Sequence, residues 1–297
     1  MDPVISINTL AYEGYDLTIA LQEIAKIGAG HVELGFTRGF TEGLTEAHFS
    51  EASAHKINRL ISDLGLYSIA LSAHTDLTTD DAVDELKRRI DFGKRLGVKI
   101  VNTKVGPKSR RNRFEKNIGP IADYAESMNI TIGLENPAEG TGQILTSGKT
   151  GAELVKKIGS DFIKLNYDFG NAFTYSKGQI DPALDYKEAL PYVCYLHLKD
   201  MNKMDDGWEF SQIGKGVINY DAIFKELVEE EKLLPLSIEN LFIYSASEKF
   251  IVRRLQRPMP LSHISTNLKN SIAYVNSVIR KSRSTFLELD SKTNPKV

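Results

Sequence analysis

Four residues with metal-ligand chemistry follow four successive strand-like segments of the chain. They are Glu135 in TIGLEN, Asp168 in KLNYDFGN, His197 in CYLHLKD and Glu239 in LSIENL. A strand that is buried on both faces is expected to be almost wholly apolar. A carboxylate or imidazole at its carboxyl end costs free energy unless it is paired or bound to a metal. The pattern therefore predicts that the four side chains converge on one divalent cation; the alternative for any one of them is a salt bridge or a strand-end cap.

Three carboxylates and one nitrogen donor suit a hard or borderline divalent ion. The excess of carboxylates favours Mn2+ as the first choice, with Mg2+, Co2+ or Zn2+ as alternatives. A structural zinc site would instead show several Cys and His ligands at short spacings. We therefore predict one divalent metal ion per chain.

Composition and charge are those of an ordinary globular protein. The 297 residues are 41% hydrophobic and 26% charged, with a formal net charge of −2, so bulk charge indicates neither a nucleic acid nor a membrane partner. The first residues, MDPVISINTLAY, lack a basic region followed by an apolar core, and we expect no signal peptide. A single cysteine, Cys194, cannot form an intrachain disulfide, which favours a reducing cytoplasm. We expect a buried structural thiol there rather than a nucleophile.

Strand and helix signals alternate along the whole chain. Strands are predicted at 4–10, 31–36, 67–73, 99–105, 130–134, 162–167, 192–198 and 236–238. Helices are predicted at 17–27, 47–64, 80–96, 117–128, 150–158, 181–190, 220–231 and 261–281. Eight such repeats predict a single (β/α)8 TIM barrel over residues 1–282, followed by a polar tail over 283–297. A doubly wound open sheet is the alternative, and it is disfavoured because AYEGYD after the first strand lacks a dinucleotide-binding glycine pattern.

The motifs of these segments resemble, in order, those of the xylose isomerase-like TIM barrel superfamily, the sugar phosphate isomerase and epimerase group that includes tagatose 3-epimerase-like and inosose dehydratase-like proteins. The matching stretches are VELGF, SAH, LEN, D-x-x-N, HLKD, GKG and SIEN, and they extend over about residues 4–280. The resemblance implies that Glu135, Asp168, His197 and Glu239 bind one divalent metal. It also implies that Glu135 and Glu239 transfer protons as the catalytic pair.

Proton transfer next to a carbonyl group explains why such a site needs both a metal and two carboxylates. Removing the proton leaves an enediolate, whose negative charge a Lewis-acidic metal stabilises, while the two carboxylates act as base and acid. We therefore predict a metal-dependent sugar isomerase or epimerase. A keto-sugar or cyclitol dehydratase or lyase is the main alternative, because expulsion of a neighbouring hydroxyl from the same anion gives dehydration.

Two further classes of protein are less consistent with the sequence. An endonuclease IV-like nuclease needs a three-metal cluster with extra histidines, but Asn171 stands where many relatives have histidine, and IVNTKVG contains none. A non-catalytic sugar-binding barrel would be indicated by the loss of a ligand or of a proton-transfer glutamate, and neither is lost. The predicted partner is a small sugar or keto-sugar, with a homo-oligomer possible.

Other residues near the predicted face are candidates for substrate binding. They are Glu33, His74, Asn171, Lys199 and Trp208, the first two from the resemblance. Each has a plainer alternative, such as a buried pair, a salt bridge or a packing contact. Asp200 could orient its neighbours, and Gly214 and Gly216 are expected to form a tight turn.

Two basic clusters could recognise a phosphate or carboxylate group on the substrate. The first contains Lys108, Arg110, Arg111 and Arg113; the second contains Lys249, Arg253, Arg254 and Arg257. Barrel enzymes often bind phosphate with loops after the last strands. A solvated charged surface is the alternative for both clusters, so the sequence leaves the phosphorylation state of the substrate open.

Overall fold

The barrel predicted from the sequence is present. A computed structural model of the chain describes residues 2–138, 140 and 142–293. Its strands are β1 Ile5–Asn8, β2 His31–Gly35, β3 Tyr67–Ser72, β4 Ile100–Lys104, β5 Thr131–Glu135, β6 Ile163–Asp168, β7 Val193–Leu198, β8 Met201–Met204, β9 Gly207–Phe210, β10 Leu236–Ile238, β11 Tyr244–Ser247 and β12 Val252–Arg254. Strands β1 to β7 are parallel neighbours in chain order, and β10 closes the barrel between β7 and β1.

The helices follow the barrel strands as a (β/α)8 arrangement requires. They are α1 Leu17–Lys26, α2 Glu51–Asp63, α3 Ala82–Leu96, α4 Arg111–Met128, α5 Gly148–Ile158, α6 Phe169–Tyr175, α7 Pro182–Ala189, α8 Tyr220–Glu229 and α9 Leu261–Thr293. Glycine ends α3 and α5 in the left-handed conformation, at Gly97 and Gly159, as is common at helix C-termini. Across the described part of the chain, no helix combines the length and apolar character needed to cross a bilayer.

Strand β7 shows how the fold separates packing from chemistry. Side chains alternate along a strand, so Leu196 and Leu198 share one face and belong to the main apolar core. Tyr195 and His197 share the opposite face, inside the barrel, where both are fully buried. The outer face of the barrel thus packs against the helices, and the inner face can carry polar groups.

Three helices depart most clearly from the prediction. Helix α4 begins at Arg111, within the stretch predicted as a basic loop. Helix α6 was not predicted; it begins after Asp168, whose carboxylate accepts a hydrogen bond from the Asn171 backbone N–H at 2.8 Å and so acts as the N-cap. Helix α9 continues to Thr293, so the predicted change from barrel to tail after residue 282 falls inside a helix.

A second sheet covers the carboxyl end of the barrel and was not predicted. It is antiparallel with the order β12-β11-β9-β8. Strands β8 and β9 form a hairpin after β7, and β11 and β12 form another after β10. The two hairpins pair through β9 and β11. The segments that follow β7 and β10 are thereby joined into one surface beside the predicted site.

Cys194 is expected to resist alkylation in the folded protein. Its thiol donates a hydrogen bond to the Leu165 carbonyl at 3.5 Å, and burial raises its pKa to about 12. Because the thiolate is the nucleophile, we expect iodoacetamide at pH 8 to react at least about 100-fold more slowly than with an unfolded thiol. Mass spectrometry before and after urea denaturation measures this, and rapid labelling of the native chain would contradict it.

Candidate metal centre

Glu135, Asp168, His197 and Glu239 meet at the carboxyl end of the barrel, as the sequence predicts. One ligand atom of each lies within 4.8 Å of one from every other member, and all four residues are buried. Glu135 and Asp168 end β5 and β6, His197 lies near the end of β7, and Glu239 directly follows β10. Asp168 and His197 are paired residues of neighbouring strands. The barrel therefore supplies the cluster from four adjacent strands.

The donor set fits a single divalent ion. Ligand atoms lie ~2.0–2.2 Å from ions of this class, so opposite ligands are separated by up to ~4.4 Å. Separations within 4.8 Å need only small side-chain movements to meet this limit. Three carboxylates and one imidazole are also the donors that such ions accept. The cluster could hold one metal ion, and its identity is left open by the donors.

Buried amides fix the carboxylates of the two glutamates. Asn171 donates to Glu135 Oε1 at 2.9 Å, and Asn166 donates to Glu135 Oε2 at 3.0 Å. Asn8 donates to Glu239 Oε1 at 2.9 Å. Asn8 and Asn166 were missed by sequence reasoning, although each is an asparagine in a barrel strand. An amide side chain at a strand position expected to be buried is the signal that could have found them.

Glu33 lies behind His197 and is fully buried. Its two carboxylate oxygens are 3.1 and 2.9 Å from His197 Nε2. It also accepts hydrogen bonds from Asn8 at 3.0 Å and Asn102 at 2.8 Å. This arrangement favours a proton on Nε2 and leaves Nδ1, which is 3.0 Å from Glu239 Oε2, as the nitrogen facing the cluster.

The charges of the cluster are strongly coupled. Burial would lower the pKa of His197, but the carboxylates of Glu239, Glu33 and Glu135 raise the pKa well above its usual range. Burial would likewise raise the pKa of the glutamates, but the charge of His197 above all holds the pKa of both Glu135 and Glu239 below the usual range. A metal ion facing Nδ1 would take the place of a proton on the imidazole.

Lys199 places an ammonium group against the same carboxylates. Its Nζ is 2.6 Å from Asp168 Oδ2 and 2.7 Å from Glu239 Oε2, and it donates to Asn171 Oδ1 at 3.0 Å. Burial would lower the pKa of Lys199, but Asp168 and Glu239 raise it, so the side chain stays charged. The site therefore contains a fixed cation beside the ligand oxygens.

A cavity of about 500 Å3 opens above the cluster. Its floor includes His74, Glu135, Asn171, Lys199 and Glu239. His74 Nε2 lies 3.1 Å from Glu135 Oε2. Three of the predicted substrate-binding residues, His74, Asn171 and Lys199, are thus positioned to touch a ligand.

The two other predicted substrate-binding residues lie elsewhere. Glu33 contacts His197 from inside the barrel, as described above. Trp208 lies in β9, where its ring stacks on Phe250 at 5.2 Å and packs edge-on against Phe173 at 5.2 Å. Phe250 does line the cavity. Trp208 therefore supports a residue of the cavity wall.

Asp200 holds the loop that leads away from β9. Its carboxylate accepts hydrogen bonds from the backbone N–H groups of Gly214 and Gly216, each at 2.9 Å, and of Met201 and Ile218. A Cβ on Gly216 would overlap this carboxylate. The tight turn predicted at the IGKG motif is thus a cradle around a buried aspartate.

Comparisons with known proteins agree with the fold and the motifs. The family model described as "Xylose isomerase-like TIM barrel" matches residues 21–240. An uncharacterized protein of Methanocaldococcus jannaschii is 32% identical over 139 residues, which are 46% of this chain and 45% of that protein. The match therefore spans less than half the length of this curated relative.

Solved structures share the architecture over nearly the whole chain. An L-ribulose 3-epimerase superposes with a TM-score of 0.72 at 19% identity, covering 97% of this chain and 98% of the epimerase. A xylose isomerase-like TIM barrel protein from Mycobacterium smegmatis, solved in complex with magnesium, superposes with a TM-score of 0.68 at 15% identity, covering 95% of this chain and 100% of that one. At these identities the likeness establishes a common fold.

Divalent metal is expected to stabilise the protein through the cluster. A ligand present at a hundredfold excess over its Kd adds about 2.7 kcal/mol, which we expect to raise Tm by roughly 5 °C for a chain of this size. Asp168→Asn should abolish the Mn2+-dependent rise, because it removes an anionic ligand yet keeps an N-cap for α6. Scanning calorimetry with and without Mn2+ measures both, with Asp76→Asn, which lines the cavity outside the cluster, as the control.

Glu33→Gln is expected to weaken metal binding about 10–100-fold without unfolding the barrel. A glutamine amide that donates to His197 Nε2 would move the imidazole proton to Nδ1, the nitrogen that faces the cluster. Mn2+ titration calorimetry measures the affinity. Glu85→Gln is the matched control, because Glu85 is buried against Arg89 away from the cluster. Equal affinity in Glu33→Gln and the wild type would show that Glu33 does not set the tautomer.

Proposed function

Since the chain belongs to the xylose isomerase-like TIM barrel family, we propose that it is a divalent-metal-dependent sugar isomerase or epimerase. The proposed reaction is proton transfer next to a carbonyl group through an enediolate. The sugar epimerase among its structural neighbours supports this class of substrate, and the magnesium complex supports a divalent ion. We propose Mn2+ as the first ion to test.

The observation that carries the proposal is the placement of the two glutamates. Glu135 and Glu239 belong to the metal-ligand cluster and also line the cavity. They come from β5 and from the end of β10, which are separated around the barrel by β6 and β7. Two carboxylates that approach one cavity from different strands can act on opposite sides of a substrate carbon.

The surrounding residues keep these carboxylates available as bases. The pKa of each lies below its usual range, for the reasons given above, so both are ionised at neutral pH. Asn171 holds Glu135 Oε1, and Asn8 holds Glu239 Oε1, which fixes the direction of each carboxylate. When bound at the cluster, the metal supplies Lewis-acid stabilisation of the negative charge that develops on the substrate.

Lys199 and His74 are proposed to bind substrate oxygens. The Lys199 ammonium lies at the cavity floor and can donate to a hydroxyl or an enediolate oxygen in exchange for one of its three present acceptors. His74 lies beside Glu135 and can orient a hydroxyl next to the carbon that loses its proton. We propose that the direction of proton return decides the product: the opposite face of the same carbon gives an epimer, and the adjacent carbon gives an isomer.

Dehydration of a keto-sugar or cyclitol is the alternative reaction. It uses the same anion but expels a neighbouring hydroxyl, for which the floor also offers donors. A dehydratase is distinguished by its product, which has lost one molecule of water, whereas an isomer or epimer keeps the composition of the substrate.

The lone cysteine, half-buried in β7, agrees with our proposal of a reducing, cytoplasmic location.

Glu239→Gln and Glu135→Gln are each expected to slow solvent deuterium exchange into ketose C–H positions by about 10²–10⁴-fold. Each change removes the base while keeping the size of the side chain. NMR of a ketose panel in D2O, at saturating Mn2+, measures exchange and separates isomer, epimer and dehydrated products. Metal content measured on the same samples controls for ligand loss. Wild-type exchange rates in both variants would reject their roles as base and acid.

A further inference from the structure

The upper part of the cavity differs in character from its floor. One side is built from a cluster separate from the main core, in which Leu10, Leu241 and Tyr244 pack with Phe40 and Phe210. These five residues all line the cavity. The opposite side carries further apolar residues, namely Val105, Pro107, Pro137 and Leu145. A ligand that reaches the floor must therefore pass between two apolar walls.

Phe250 completes the first apolar wall, and its backbone adopts an unfavourable conformation there. It lies in the turn between β11 and β12 with a φ of +58°, in the left-handed region. The Ser247 N–H donates to the Ile251 carbonyl at 3.0 Å, and the Phe250 N–H donates to the Ser247 carbonyl at 2.8 Å. Three-residue hairpin turns of this kind usually place glycine at the left-handed position. Phenylalanine occupies this position although the backbone conformation favours glycine, which indicates that the phenyl ring has a function.

Three arginines of the two basic clusters are already paired with carboxylates. Arg254 contacts Glu42 at 2.8 Å, and Arg110 contacts Asp76, which lines the cavity, at 2.9 Å. Arg113 is paired with Asp80. None of the described residues that line the cavity is an arginine. Arg253 and Arg254 of the second basic cluster are exposed residues of β12 and do not line the cavity.

Few cationic side chains of the cavity are available to an anionic substrate. Among the described lining residues, the carboxylates of Asp76, Glu135 and Glu239 face two lysines, Lys104 and Lys199. Lys199 is already held by Asp168 and Glu239. Lys104 is exposed at the end of β4 and is the remaining lysine that a phosphate could meet.

We infer that the substrate is an unphosphorylated sugar that carries an apolar substituent, with the sugar on the polar floor and the substituent against Phe210, Tyr244 and Phe250. This inference rests on the proposed function, because it names the substrate class of the same cavity. The floor has the donors and carboxylates that a polyol needs. The walls offer area for an aryl or alkyl group and little for a charged one.

Binding of three probes to the Mn2+-loaded protein tests the inference. The probes are D-glucose, D-glucose 6-phosphate and phenyl β-D-glucopyranoside, measured by titration calorimetry. Burial of a phenyl ring between apolar walls should make the phenyl glucoside bind roughly tenfold more tightly than glucose, or better. The phosphate should bind no more tightly than glucose.

Phe250→Gly is the variant that measures how much the apolar wall contributes to binding. Glycine suits the left-handed turn, so the change removes the ring while easing the backbone. The preference for the phenyl glucoside over glucose should then fall to about 3-fold or less, because the apolar area that the ring contributed is lost. Glu231→Gly is the matched control, because Glu231 also has a positive φ, of +53°, and lies between α8 and β10 at the other end of the barrel. It should leave the preference unchanged.

Two results would overturn the inference. One is equal binding of glucose and the phenyl glucoside by the wild-type protein, which decides the matter even if the glycine variant does not fold. The other is tightest binding of glucose 6-phosphate with loss of that binding in Lys104→Ala. If no sugar shows deuterium exchange but the protein still prefers the phenyl glucoside, the proposed reaction is rejected and the inferred ligand class is kept. If exchange occurs but the protein shows no preference for the phenyl glucoside, only the inferred ligand class is rejected.

Discussion

The constraint on which the rest of the structure depends is the burial of four carboxylates in one barrel. Glu33, Glu135, Asp168 and Glu239 are each at most 2% exposed, and an unpaired carboxylate in such a place would be neutralised rather than ionised. In this barrel the cations of Lys199 and His197, together with asparagine amides from several strands, stabilise the buried negative charge. A divalent ion would add the largest compensating charge.

This compensation explains why the inner face of the barrel is polar. Asn8, Asn102 and Asn166 occupy strand positions that a barrel built for stability alone would fill with branched apolar residues. Their amides instead hold glutamate oxygens at 2.8–3.0 Å. Folding free energy must then come from the outer faces of the strands and from the helices, where the main apolar core lies. The fold separates the two tasks by side-chain alternation.

The sequence predicted the features that depend on local residue patterns and missed the contacts that depend on closure of the barrel. Apolar strands buried on both faces and glycines at helix ends mark the eight repeats, and a charge at the end of such a strand marks a ligand. The side chain of Glu33 could not be assigned to His197, because their contact requires β10 to close the barrel between β7 and β1. The small sheet was missed because its two hairpins, at Met201–Phe210 and Tyr244–Arg254, are distant in sequence and polar in composition.

The chemistry of the site and its substrate selectivity come from different parts of the fold. The floor of the cavity is set by strand ends that the barrel holds rigidly, and any substrate must meet the same carboxylates there. The wall comes from loops, and its most unusual residue, Phe250, lies in a backbone conformation that favours glycine. Loops can change without disturbing the strands. A family that keeps the floor and varies the wall can keep one proton-transfer chemistry while it changes substrates, so the identity of this substrate is to be sought in the second sheet.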